Sequence, residues 1–173
     1  MGLLAFYLRE RTFSADIVGV DFDEGKVSTA RDCAQAHYSG LQFRAQDVAE
    51  ARDFHGNVVV LDVLQYLEFE KQKKLLQQLP QWVGPRGKCL IRATPHSESW
   101  RFTATRVADR AMYLASWMKS PALHYLREKE IVAPFVSANF TCDVRPLWGN
   151  TPFNSYLFVF QRPAGTSDSG AAR

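Results

Sequence analysis

The chain has 173 residues, 46% of them hydrophobic and 23% charged, with a net charge of +3. These values fit one globular domain with a substantial core. They exclude a collagen-like or disordered chain, and the scattered Lys and Arg residues give no nucleic-acid footprint. Cys33, Cys89 and Cys142 are odd in number and far apart. That pattern fits reduced thiols in a cytoplasmic protein better than a disulfide framework or a metal site. No apolar run reaches the ~20 residues of a membrane span, and no signal peptide opens the chain.

In chain order, residues 2–11 put Leu3, Leu4, Tyr7 and Leu8 on one helical face. Ile17 to Val20 is a short apolar strand ending at Asp21. Asp23 then reads as the N-cap of a helix carrying Val27, Ala30 and Ala34 at helical spacing. Leu41 to Ala45 is a strand followed by Asp47. Asn57 to Leu61 is an unbroken Val/Leu run of the kind covered on both faces. An amphipathic helix over 68–79 turns Leu75, Leu76 and Leu79 inward and is expected to end at Pro80. The next strand is Lys88 to Ala93.

Residues 97–118 read as a helix, and a second helix is expected over 124–133. Phe140 to Val144, a turn at Trp148–Pro152, and Tyr156 to Phe160 make a hairpin. The small, polar stretch from Ala164 to Arg173 is expected to be a disordered tail. Alternating strands and helices imply an α/β fold with a mostly parallel sheet and an antiparallel hairpin at one edge. The folded domain is expected to run over residues 1–163.

In such sheets ligands bind at the carboxyl ends of the strands, which directs attention to Asp21, Asp47 and Asp62. A carboxylate at Asp21 suits the two adjacent hydroxyls of a ribose, and one at Asp47 suits an adenine amino group. Each has a plainer alternative: Asp47 as cap of a short helix from Val48 to Ala51, and Asp62 as cap of the turn at Val63–Leu67.

The residues Gly2-Leu3-Leu4-Ala5, Val18-Gly19-Val20-Asp21-Phe22-Asp23, Ala45-Gln46-Asp47-Val48, Val60-Leu61-Asp62-Val63-Leu64 and Pro152-Phe153-Asn154-Ser155-Tyr156 form a set. Together they resemble the class I S-adenosylmethionine-dependent methyltransferase family, a Rossmann-like fold, from Met1 to about Pro163. The resemblance implies that Gly2 is the last glycine of the cofactor loop, with Asp21 following at about the spacing of 20 residues typical of nucleotide-binding units. It further implies that Asp21 holds the ribose, Asp47 the adenine amino group, and the backbone beside Phe22 and Val48 the flanks of the ring. Asp62 is placed near the methionine half of S-adenosylmethionine.

In this family a first strand and most of the glycine-rich loop come before the position of Gly2. That strand lies between the Asp21 strand and the Asp62 strand. The expectation is therefore a sheet lacking its first strand in a truncated chain, with either a slot between two edges or a closing-up across a spacing of about 4.8 Å per strand.

Methyl transfer from a sulfonium needs orientation and a dry site more than an obligatory catalytic residue. His96 and Tyr66 are the candidate general bases, with an exposed loop histidine and a packing tyrosine as the alternatives. Trp100, Phe102, Tyr113, Trp117 and Met118 either line an apolar acceptor pocket or form the core side of a helix. Arg101, Arg106 and Arg110 give that helix a basic face suited to an anionic or carrier-bound small substrate. No metal site is expected. Two other functions stay open: a nicotinamide-dependent oxidoreductase, and a non-catalytic methyltransferase remnant acting as a binding partner.

Overall fold

The computed structural model describes residues 2–115 and 121–163. Trp117, Met118 and the stretch 164–173 lie outside the described residues. The chain divides into two compact units, residues 1–52 and 53–173.

The first unit contains α1 (Leu3–Glu10), β1 (Ile17–Asp21), α2 (Glu24–His37) and β2 (Leu41–Ala45). β1 and β2 pair in parallel, with Asp21 opposite Ala45. α2 starts where it does because the Asp23 carboxylate accepts from the backbone N–H of Gly25 and Lys26 at 3.1 and 3.3 Å. Val27, Ala30 and Ala34 form its buried face and meet Ala5 and Phe43 in a small core, with Phe6, Ile17 and Leu41 packed around it. Arg9 ties α1 to the turn before β2, donating to the carbonyls of Ser39 (3.2 Å) and Gly40 (2.8 Å). α1 buries Ala5, whereas Leu3, Leu4 and Tyr7 are exposed, Leu3 at 83%. The leucine face seen in the sequence is therefore not the one this unit covers.

The second unit contains β3 (Val58–Leu61), α3 (Phe69–Trp82), β4 (Lys88–Ala93), α4 (Trp100–Leu114), α5 (Glu128–Ser137), β5 (Thr141–Pro146) and β6 (Tyr156–Gln161). Its sheet runs β3-β4-β6-β5. β3 and β4 are parallel, while β6 is antiparallel to both β4 and β5. The hairpin thus inserts its second strand next to the parallel pair. α3 packs on α5, and the core is built from Leu75, Leu79, Ile91, Ile131, Phe135, Phe158 and Phe160. Phe135 stacks on Phe160 with ring centres 3.8 Å apart.

The strands therefore form two sheets, with β1–β2 separate from the four-stranded one. Among the described residues the Asp21 and Asp62 strands belong to different sheets. Two of the four strand pairings are antiparallel, a larger share than the sequence pattern suggests.

Four local expectations are corrected. The Val/Leu run of β3 is covered on one face only: Val60 is buried, but Val59 and Leu61 are 45% and 41% exposed. Pro80 does not end α3, which continues to Trp82. A proline so near the C-terminus forfeits only the bond to the Leu76 carbonyl, and the buried Leu75–Leu76–Leu79 face holds the turn. The helix expected over 124–133 is Glu128–Ser137. Residues 121–127 are drawn out instead, because Leu123 N–H donates to the Gln65 carbonyl (2.7 Å) and the Leu126 carbonyl accepts from His96 N–H (2.8 Å). α4 likewise starts later than expected, at Trp100, where the Ser99 hydroxyl accepts from Phe102 N–H at 3.2 Å.

Candidate functional site

In the first unit the carboxyl ends of β1 and β2 lie side by side. The parallel register that sets Asp21 opposite Ala45 brings Asp47 to the same end, and Gln46 N–H donates to the Asp21 carbonyl at 2.9 Å. One Asp21 carboxylate oxygen accepts from Asp23 N–H at 3.0 Å; the other has no partner among the described residues. Phe22 beside it is 61% exposed. Asp47 caps the short 3₁₀ turn Val48–Glu50 through a 3.0 Å bond from Ala49 N–H, so the capping alternative holds in this structure.

Gly2 is the N-cap of α1 in the left-handed region, at φ 89°. A Cβ there would lie 2.9 Å from Phe6 Cε2 and 3.1 Å from Phe43 Cζ. Only glycine allows this close turn into the helix. The two carboxylates at this end are hydrogen-bond acceptors, which matches neutral hydroxyl and amino donors on a ligand.

In the second unit Asp62 sits at the end of β3 with φ 53°. Its N–H donates to the Arg92 carbonyl at 3.0 Å, and its carboxylate receives the Arg92 guanidinium in a forked ion pair, with Nε at 3.0 and 2.8 Å and Nη2 on the same Oδ2. That bond holds the Arg92 pKa above its usual value. Asp62 therefore caps no turn. The 3₁₀ turn Leu64–Tyr66 has no side-chain cap.

His96 is exposed, with its ring centre 4.8 Å from that of Phe102. Tyr66 is half-buried, and burial raises its pKa. Trp100 and Tyr113 are 64% and 41% exposed, whereas Phe102 is buried at 3%. The aromatic set on α4 thus splits: Phe102 is core, and the other two are surface. Asn154, 1% exposed, donates through Nδ2 to the Pro95 carbonyl at 2.8 Å and receives α4 through the Thr105 hydroxyl, which accepts from Asn154 N–H at 2.8 Å.

Sequence reasoning missed Asp109 and Tyr125. The Tyr125 hydroxyl donates to Asp109 Oδ2 at 2.6 Å. Burial raises the pKa of both groups; the hydrogen bond raises Tyr125 further and opposes the rise at Asp109. A cavity of about 290 Å³ is lined by this pair with Arg106, Arg110 and Tyr113, among others. A second, of about 340 Å³, shares Arg106 and Tyr125 and adds His96, Phe102 and His124. The available signal was Asp109 at a seven-residue interval from Phe102, on the same helical face. Among the described residues no group of three His, Cys, Asp or Glu side chains could hold a metal ion.

No family model matches the sequence, and no curated protein matches it. Solved structures do. The magnesium protoporphyrin IX methyltransferase of Synechocystis PCC 6803, with bound S-adenosylhomocysteine, superimposes with a TM-score of 0.65 over 88% of this chain at 20% identity. The 1,6-didemethyltoxoflavin-N1-methyltransferase of Burkholderia thailandensis gives 0.64 over 93% at 15% identity. An O-methyltransferase family protein from the same organism gives 0.64 over 94% at 20% identity. The chain has the class I methyltransferase fold. It spans 66%, 66% and 48% of those three methyltransferase chains respectively. In the methyltransferase fold described here, the strand-end carboxylates Asp21 and Asp47 fall at the edge where α/β sheets bind ligands.

Proposed function

We propose that this chain belongs to an S-adenosylmethionine-dependent methyltransferase acting on a small-molecule or carrier-bound acceptor. The reading takes residues 1–163 as one methyltransferase domain, cytoplasmic and without a nucleic-acid or membrane partner. No described helix is long and apolar enough to cross a membrane.

The observation that carries the reading is the paired, parallel tip of β1 and β2, where the Asp21 carboxylate keeps one oxygen unengaged. Asp21 accepts from the ribose hydroxyls and Asp47 from the adenine amino group, while the backbone at Phe22 and Val48 flanks the base. The left-handed turn at Gly2, closed against Phe6 and Phe43, supports its assignment as the last glycine of the cofactor loop. When bound, S-adenosylmethionine supplies the electrophilic methyl group, and the chain's residues bind, orient and exclude water.

The test is calorimetric titration with S-adenosylhomocysteine of the native sequence and Asp21→Ala. Loss of charge-accepted hydrogen bonds of about 1.5–3 kcal/mol weakens binding tenfold or more. Equal affinity of the two proteins removes the assignment. Affinity for a nicotinamide dinucleotide with none for S-adenosylhomocysteine establishes an oxidoreductase instead, and affinity for neither leaves the non-catalytic binding partner.

A further inference from the structure

We infer that the cavity between α4 and residues 121–125 binds the carboxylate of a small aromatic acid, with Arg106 and Arg110 as its two cationic contacts. Only the naming of that acid as the methyl acceptor rests on the methyltransferase reading; the anion site stands without it.

The three arginines on α4 have different employment. The Arg101 guanidinium donates to the Thr151 carbonyl and lies over the rings of Trp100 and Trp148, at 4.6 and 5.2 Å. It is a structural tie. Arg106 and Arg110, one helical turn apart, both line the 290 Å³ cavity. Neither makes an ion pair among the described residues; Arg106 only lies near the Phe102 ring, at 5.9 Å. The nearest carboxylate on the same wall, Asp109, is already engaged by the Tyr125 hydroxyl.

Both guanidiniums are exposed, and like charges at this spacing repel weakly, a cost that an anion between them relieves. Two guanidiniums and one carboxylate leave a single positive charge on the wall, which matches a monoanion and not a phosphate dianion. The planar, forked guanidinium pairs with a carboxylate or a phosphate, and the net charge of the wall favours the carboxylate. Tyr113 and Leu114 supply apolar wall, and the adjoining 340 Å³ cavity offers Phe102 and His96 to a ring. Together the volumes fall within the range that small ligands occupy.

The experiment compares benzoate with its neutral counterpart benzamide by calorimetry on the full chain, at two salt concentrations. Benzoate is expected to bind about tenfold tighter than benzamide and to lose that advantage as salt rises. The double variant Arg106→Gln/Arg110→Gln should bring benzoate down to benzamide, while Lys129→Gln on α5 changes nothing. Equal affinity for the two ligands in the native sequence, or no benzoate binding, overturns the inference whether or not the double variant folds. Retained preference in a double variant with native circular dichroism overturns it as well. Tighter binding of inorganic phosphate than of benzoate overturns the assignment to an aromatic acid. Benzoate preference without affinity for S-adenosylhomocysteine removes the methyltransferase reading and keeps the anion site; the opposite result does the reverse.

Discussion

Cys89 lies fully buried on β4 between β3 and β6, and burial pushes its thiol pKa up to about 12. Below about pH 9 the thiol is protonated in the folded and the unfolded chain alike, so it has no pH effect on stability. Between about 9 and about 12 the unfolded chain releases the proton while the folded chain keeps it, and stability falls as pH rises. Tyr66 and Tyr125, both raised by burial, act in the same direction. Urea midpoints measured across that window should therefore fall less steeply for Cys89→Ala than for the native sequence. Equal slopes would show that the thiol is not shielded. Cys142, half-exposed and raised to about 11, contributes a weaker version of the same effect. The site residues obey the same logic of environment: Asp21 and Asp62 are both aspartates at strand ends, yet one keeps an open oxygen and the other is clamped by Arg92.

Among the elements, α4 is tied to the segment leading into β6 at Asn154. Its backbone N–H donates to the Thr105 hydroxyl, and its buried Nδ2 donates to the Pro95 carbonyl, with Ser97 Oγ at 3.4 Å. Asn154→Ala leaves the Pro95 carbonyl buried without its donor, at a cost of about 1–3 kcal/mol. A matching drop in the urea midpoint is expected, and a change under about 0.5 kcal/mol, the range of ordinary surface substitutions, would show that the clip carries no load. Gln72 plays a similar part on α3, donating through Nε2 to the Leu64 and His124 carbonyls at 2.7 and 2.9 Å. The Gln72 bond to the His124 carbonyl, with the backbone bonds from Leu123 N–H to Gln65 and from His96 N–H to Leu126, holds residues 121–127 extended beside the Arg106–Tyr125 cavities. Those bonds displace the start of α5 from 124 to Glu128.

For the molecule as a whole, the decisive feature is that its strands form two sheets of unequal strength. β4 and β6 have hydrogen-bonded neighbours on both sides, whereas β1 and β2 have only each other. A two-stranded sheet is marginal unless helices cover it, and α2 covers this one with Val27, Ala30 and Ala34. Amide hydrogen exchange should therefore be slow at Ile91 and Phe158 and markedly faster at Val18 and Phe43. Uniform protection across the four would show that the first unit opens only with the second. Since Asp21 and Asp47 belong to the weaker unit, ligand binding at the β1–β2 tip is expected to raise protection there first.

Much of this architecture was legible in the sequence, because local physics writes it there. The Asp23 cap, the Val27–Ala30–Ala34 face, the apolar strands, and the acidic residues at the ends of β1, β2 and β3 are patterns of spacing and propensity. Tertiary structure alone decided the rest. Which face of β3 is covered, that Arg92 clamps Asp62 and that Asp109 meets Tyr125 all depend on residues many positions apart. The strength of a charge or a hydrogen bond is set by what surrounds it in space, and no one-dimensional period encodes that.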